Sequence, residues 1–94
     1  MQVVWSLTTV AQLLEIRTYI AQDKPEAALG VAQRIVSAAD QLSRNPQLGR
    51  PGRSPGIREL IIAGTPCILA YKIQGDRLKI LAVYHAARQW PEQP

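Results

Sequence analysis

Residues 57–91 constrain the fold more than any other part of this 94-residue chain. They contain three short apolar runs, separated by Gly-Thr-Pro at residues 64–66 and Gln-Gly-Asp at residues 74–76. Such runs between Gly, Pro and Asp are typical of strands in hairpins. In the last run, alternation places one set of residues on a single face, toward a core: Leu78, Ile80, Ala82 and Tyr84. The pattern predicts a three-stranded meander, which needs a cover over one apolar face.

The sequence of the first half of the chain predicts two helices that cover this apolar face. Residues 2–7 read as a short strand, and Thr9 with Gln12 fits a capping box that begins a first helix. A broad apolar stripe follows at helical spacing: Val10, Leu13, Leu14, Ile16, Tyr19 and Ile20. Residues 25–44 predict a second helix, with Pro25 in its first turn and Asp23 and Glu26 as a capping pair.

These elements predict an α+β fold in the order β-α-α-β-β-β. We expect an antiparallel two-helix hairpin to pack on a small, mainly antiparallel sheet of three to four strands. Residues 1–94 are expected to form a single domain, because a chain this short has room for one core.

Residues 46–56 are rich in proline and glycine, and the pattern predicts a stiff loop with neither helix nor strand. The loop carries Arg50 and Arg53, and no acidic residue occurs between Asp40 and Glu59. Together with the net charge of +4, this asymmetry favours an anionic partner, which is a nucleic acid, an acidic protein or an acidic peptide.

Composition narrows the class further. The hydrophobic fraction of 47% is that of a globular protein. The one cysteine, Cys67, lies in a predicted strand and is expected to be buried as a small apolar residue. No targeting segment and no apolar stretch of about 18 residues is present, so a cytoplasmic location without membrane contact is expected. A single histidine excludes His-pair metal sites, and no cofactor is expected.

The sequence contains no enzyme motif of high specificity. If the chain is an enzyme, Arg58, His85 and Arg88 are the candidates for a metal-independent ribonuclease, with His85 as acid or base and the arginines as phosphate ligands. If it is a binding protein, the candidates are these three with four others: Arg50, Arg53, Lys72 and Trp90. A DNA-binding or structural module stays open on charge alone, although no recognition-helix pattern occurs.

Three segments resemble the RelE/ParE superfamily of toxins from type II toxin–antitoxin systems: GRPGRSPGIRELII, PCILAYKI and LKILAVYHAARQWP. The first half agrees, with a Trp-containing first strand, Tyr19-Ile20-Ala21 and Asp23-x-Pro25-x-Ala27-Ala28. The resemblance implies the fold predicted above. It also implies a cognate antitoxin whose C-terminal segment wraps the toxin, and hence a toxin–antitoxin hetero-oligomer.

Within this superfamily the chain is more similar to the ParE-like branch. Alanines occupy positions 86 and 87, where ribonuclease members tend to carry Arg or His, and Ile61 and Ile62 stand where such members often have Lys or Arg. The resemblance therefore implies a growth-arresting, plasmid-stabilising toxin that inhibits DNA gyrase without catalysis. The alternative is a RelE-like endonuclease that cleaves mRNA on the ribosome.

Overall fold

The computed structural model describes residues 1–86, so the predictions for Arg88 and Trp90 lie outside the described residues. The elements in chain order are β1 (Gln2–Trp5), α1 (Leu7–Ala21), α2 (Pro25–Arg44), β2 (Arg50–Pro51), β3 (Arg58–Ile61), β4 (Cys67–Gln74) and β5 (Arg77–His85). The strands form one sheet in the order β1-β5-β4-β3-β2. β1 pairs in parallel with β5, and the other pairs are antiparallel. The predicted fold class is confirmed, with five strands rather than three to four.

The fifth strand is β2, which lies in the segment predicted to contain no strand. That prediction was wrong for Arg50 and Pro51, which pair with Glu59 and Arg58 of β3. A proline is tolerated here because β2 is at the edge of the sheet, where its missing N–H leaves no ladder bond unmade.

The first helix begins earlier than the capping pattern predicted. Ser6 is the N-cap, and its Oγ accepts a hydrogen bond of 3.0 Å from the Thr9 N–H. The predicted capping box of Thr9 and Gln12 was therefore wrong. Both side chains are buried and contact β5 instead, which the sequence pattern did not indicate.

The second helix begins at Pro25 as predicted, with Glu26 in its first turn. Asp23 is not its cap, because Lys24 occupies the N-cap position and no side chain bonds there. The N–H groups of Asp23 and Lys24 donate to the Ile20 carbonyl at 3.2 and 2.8 Å, so both residues belong to the turn that ends α1.

Both helices cover the same face of the sheet. Ile16 of α1 and Ile35 and Leu42 of α2 are fully buried in one cluster with sheet residues that share a face by register: Cys67, Leu69, Tyr71, Leu78, Ile80 and Val83. Burial of this apolar surface, worth roughly 25 cal/mol per Å², is the main force that holds the two layers together.

An irregularity in β5 decides which of its later side chains reach the core. Tyr71 pairs with Ile80 and Ala70 with Ala82, so Leu81 is an extra residue without a partner on β4. Such a bulge reverses the alternation beyond it. Ala82 and Tyr84 were predicted to face the core, and that prediction was wrong: Val83 and His85 are buried, and Ala82 and Tyr84 lie on the opposite face.

Within residues 1–86, neither helix has the length and apolar character needed to cross a membrane.

Candidate functional site

The sheet face opposite the helices, called the open face below, is the first candidate surface. No helix in residues 1–86 packs on it, because both helices bury their apolar sides on the other face. Residues directly opposite each other in antiparallel strands share a face, so the register defines its members. They are Arg50, Glu59, Ile61, Ile68, Ala70, Lys72, Gln74, Arg77, Lys79, Ala82 and Tyr84.

The register places three cations at the hairpin end of the open face. Lys72 of β4 lies directly opposite Lys79 of β5, and Arg77 is two residues from Lys79 on the same strand and face. Like charges placed directly opposite each other are destabilising. Within the described residues, the only ion pairs are Arg44–Asp40 and Arg53–Glu59, so none of these three cations forms an ion pair there, and the carboxylate nearest to them in the chain is Asp76 of the turn.

Arg53 covers part of the same face near its other end. Its guanidinium carbon lies 5.5 Å from the centre of the Tyr84 ring, a cation–π distance. Its Nε lies 3.6 Å from Oε2 of Glu59, whose side chain is only 7% exposed. The buried carboxylate therefore holds an exposed arginine over an aromatic ring, and the two predicted binding residues Arg50 and Arg53 lie on neighbouring parts of one surface.

Arg58, a candidate in both sequence predictions, is engaged within the protein. Its Nε and Nη2 donate to the Gly49 carbonyl at 3.1 and 2.7 Å, and Nη2 also donates to the Gln47 carbonyl at 3.2 Å. The guanidinium therefore fixes the loop that follows α2.

The loop after α2 is also held by hydrogen bonds to a buried tyrosine of β4. The Tyr71 hydroxyl donates to the Pro46 carbonyl at 2.8 Å and accepts from the Gly49 N–H at 2.9 Å. A Cβ at Gly49 would lie 2.5 Å from that hydroxyl, so only glycine allows this close approach. Tyr71 and Arg58 together position the segment that carries Arg50 and Arg53.

His85 is buried on the helix side of the sheet, where its ring packs edge-on against Tyr19 of α1 with centroids 5.4 Å apart. Arg58 lies opposite Tyr71 and His85 opposite Cys67, so four residues of β4 separate them along the strand. At 3.3 Å per residue this is about 13 Å. The two described members of the predicted ribonuclease set therefore do not converge on one reacting atom.

The second candidate surface is an apolar stripe on α1, called the outer stripe. It consists of Leu7, Val10 and Leu14, which are 89%, 41% and 55% exposed. At 100° per residue these positions lie on the side of α1 away from buried Ile16. The broad apolar stripe that the sequence predicted for α1 thus combined residues from two faces of the helix, one buried against the sheet and one exposed. A helix that is apolar on both sides is normally buried on both, so the outer stripe is typical of a surface covered by a partner.

Cys67 is buried as expected, and burial raises the pKa of its thiol despite a hydrogen bond from Thr65 that acts in the opposite direction. Nucleophilic cysteines have lowered pKa values. The described residues contain no group of three His, Cys, Asp or Glu side chains arranged to hold a metal ion.

A sheet with one helical layer, a basic open face and an apolar outer stripe is typical of a small protein that binds macromolecules. Comparisons with known proteins specify the family. The family described as "ParE toxin of type II toxin-antitoxin system, parDE" matches residues 3–90, and the chain belongs to this family of the RelE/ParE superfamily.

Individual relatives and solved structures are consistent with this family assignment. The chain is 46% identical to the Y4kP protein of Sinorhizobium fredii over 88 residues. The matched region covers 94% of this chain and 91% of that protein. It is 38% identical over 87 residues to "Toxin RelE2" of Caulobacter vibrioides, at 93% and 97% coverage. Among solved structures, the chromosomal ParDE system of P. aeruginosa contains a similar chain, with a TM-score of 0.82, 28% identity and coverage of 90% and 95%.

Proposed function

We propose that this toxin arrests growth by binding and inhibiting DNA gyrase, without catalysis, and that a cognate antitoxin neutralises it. The single observation that supports binding over catalysis is the placement of Arg58 and His85. Arg58 is bonded to loop carbonyls, His85 is buried against Tyr19, and about 13 Å of β4 separates their positions along the strand. A phosphoryl-transfer site requires its acid, base and cations within reach of one phosphate.

The antitoxin binds the outer stripe of α1 in this proposal. An amphipathic segment that folds on binding would bury Leu7, Val10 and Leu14, which the fold leaves in water. The similar chain in P. aeruginosa belongs to a solved ParDE toxin–antitoxin system, which supports an antitoxin partner for this chain.

A charge placed in the outer stripe tests the antitoxin surface. Leu14→Asp should weaken binding to the product of the adjacent reading frame at least about tenfold, because a carboxylate is buried without a partner. Leu48→Asp is the matched control, since Leu48 is a 47% exposed leucine in the loop after α2. If both variants bind the antitoxin with equal affinity, the antitoxin binds a surface other than the outer stripe. If the wild-type toxin does not bind the product of the adjacent reading frame, that product is not its antitoxin.

The gyrase proposal is tested in cells and with purified enzyme. Expression of the toxin alone should stop growth and induce the SOS response, and co-expression of the antitoxin should restore growth. Purified toxin should inhibit supercoiling by gyrase. Intact supercoiling at high toxin excess would contradict the proposal.

Ribosome-dependent mRNA cleavage is the second candidate function. The observation that favours it is the 38% identity to a protein named Toxin RelE2, together with the lysines on the open face. In that case primer extension on translated messages should show new cuts within minutes of induction. Absence of cuts while growth is arrested would exclude this candidate.

A further inference from the structure

We propose that the open face of the sheet is the surface that binds the toxin's target, and that it takes an acidic protein segment with an apolar anchor. This inference rests on the proposed function, in which the target is the protein gyrase, and it adds the surface and the chemistry of the partner. The antitoxin surface on α1 lies on the other layer of the fold, so the two interactions are separable.

The open face is ordered into rows that run across the strands. At one end Ile61, Ile68 and Tyr84 lie side by side on β3, β4 and β5, and Ile61 is 56% exposed. The next row towards the hairpin contains Glu59, Ala70 and Ala82, of which Glu59 and Ala70 are buried and Ala82 is half-buried. The apolar surface that this face offers to a partner is therefore the row of Ile61, Ile68 and Tyr84.

The cationic row lies at the other end of the same face. Lys72 is four residues from Ile68 along β4, about 13 Å at 3.3 Å per residue. Lys72 and Lys79 repel each other across the strand pair, and Arg77 adds a third positive charge beside them. A carboxylate from a partner removes this repulsion, so the folded toxin gains more from an acidic partner than from a neutral one.

An acidic protein segment fits this arrangement better than a nucleic acid does. Single-stranded nucleic acids bind grooves that combine cations along the backbone with free aromatic rings for base stacking. Here the only aromatic ring that the described residues place on the open face is that of Tyr84, which the guanidinium of Arg53 already covers. The row with Ile61 and Ile68 adds apolar area without charge, which suits a protein surface.

The test is the double variant Lys72→Glu/Lys79→Glu. It keeps a like-charged pair across the strands, so its folding stability should stay close to that of the wild type, and it reverses the charge offered to the target. Arg17→Glu/Lys24→Glu changes the net charge equally on the helical layer, where both residues are exposed, and serves as the control. We expect at least about tenfold more of the sheet variant for half-inhibition of purified gyrase, with unchanged antitoxin affinity. The control should inhibit like the wild type.

Salt provides a second measurement. Inhibition by the wild type should weaken as ionic strength rises, more steeply than inhibition by the sheet variant, because salt screens charges that are in contact with solvent, as the half-buried Lys72 and Lys79 are. Equal potency of the wild type and the sheet variant, or an equal loss in the control, contradicts the inference alone. So does single-stranded RNA binding by the wild type that the sheet variant loses. Failure of the wild type to inhibit gyrase contradicts the proposed function, and the inference with it.

Discussion

The side-chain carbonyl of Gln12 accepts a hydrogen bond of 2.9 Å from the backbone N–H of Val83, 71 residues away in the chain. β1 pairs with β5 only as far as Ile80, so Val83 has no strand neighbour on that side of the sheet. Gln12 supplies the missing acceptor from the first helix. Thr9 of the same helix donates to the Ile80 carbonyl at 3.3 Å. The bulged part of β5 is therefore held by side chains of α1 where the sheet ends.

Gln12→Leu should test this contact. The change leaves the Val83 N–H without its acceptor in a buried place, which costs about 1–3 kcal/mol of the free energy of unfolding. Gln33→Leu, at an exposed position of α2, should change it by less than about 0.5 kcal/mol. Urea denaturation followed by circular dichroism measures both. A loss of less than 0.5 kcal/mol for Gln12→Leu, about the size of the surface control, would mean that water replaces the side chain.

Removing the hydroxyl of Tyr71 should loosen the loop after α2. Tyr71→Phe keeps the buried ring and deletes the partner of the Pro46 carbonyl and the Gly49 N–H, so we expect a loss of about 1–3 kcal/mol in unfolding free energy. Tyr84→Phe, on the open face, is the control and should cost little. Amide exchange at Gly49 should quicken in the first variant only. Unchanged exchange there would show that Arg58 alone holds the loop.

Arg58 should act mainly through the fold. Arg58→Met retains part of the side-chain stem but loses three hydrogen bonds to the Gly49 and Gln47 carbonyls, and should destabilise the protein by about 1–3 kcal/mol. Arg50→Met removes an exposed cation whose side chain has no hydrogen bond within the described residues, and should be nearly neutral. Thermal unfolding of the two variants and the wild type measures this difference in stability. Growth arrest lost by Arg58→Met without any loss of stability would instead assign Arg58 a direct contact.

The thiol of Cys67 should react slowly in the folded protein. Burial raises its pKa above the ordinary value of 9.0, so the folded state holds the proton at pH values where the unfolded state loses it. Its contribution to stability is therefore complete below pH 9 and falls as the pH rises above that value. The stability difference between wild type and Cys67→Ala should shrink over this range in urea titrations. A difference independent of pH from 8 to 10.5 would contradict the raised pKa.

Much of the fold followed from local pattern. The apolar runs in the second half of the chain predicted β3, β4 and β5, and Pro25 and the helical spacing after it predicted α2, because side-chain period and turn residues act over a few positions. The burial of Cys67 was predicted for the same reason. Membership of the superfamily was visible in the order and spacing of short segments, since those segments encode the elements of one fold.

Tertiary structure decided the features that local pattern could not contain. The bulge at Leu81 depends on the pairing of β5 with β4, and it moved Tyr84 to the open face and His85 to the core. Gln12 has the spacing of a helix cap, yet it bonds to a strand that comes 71 residues later. A sequence specifies which side chains prefer to be buried, but register and the packing of distant elements determine which of them are, and thereby which charges remain for a partner.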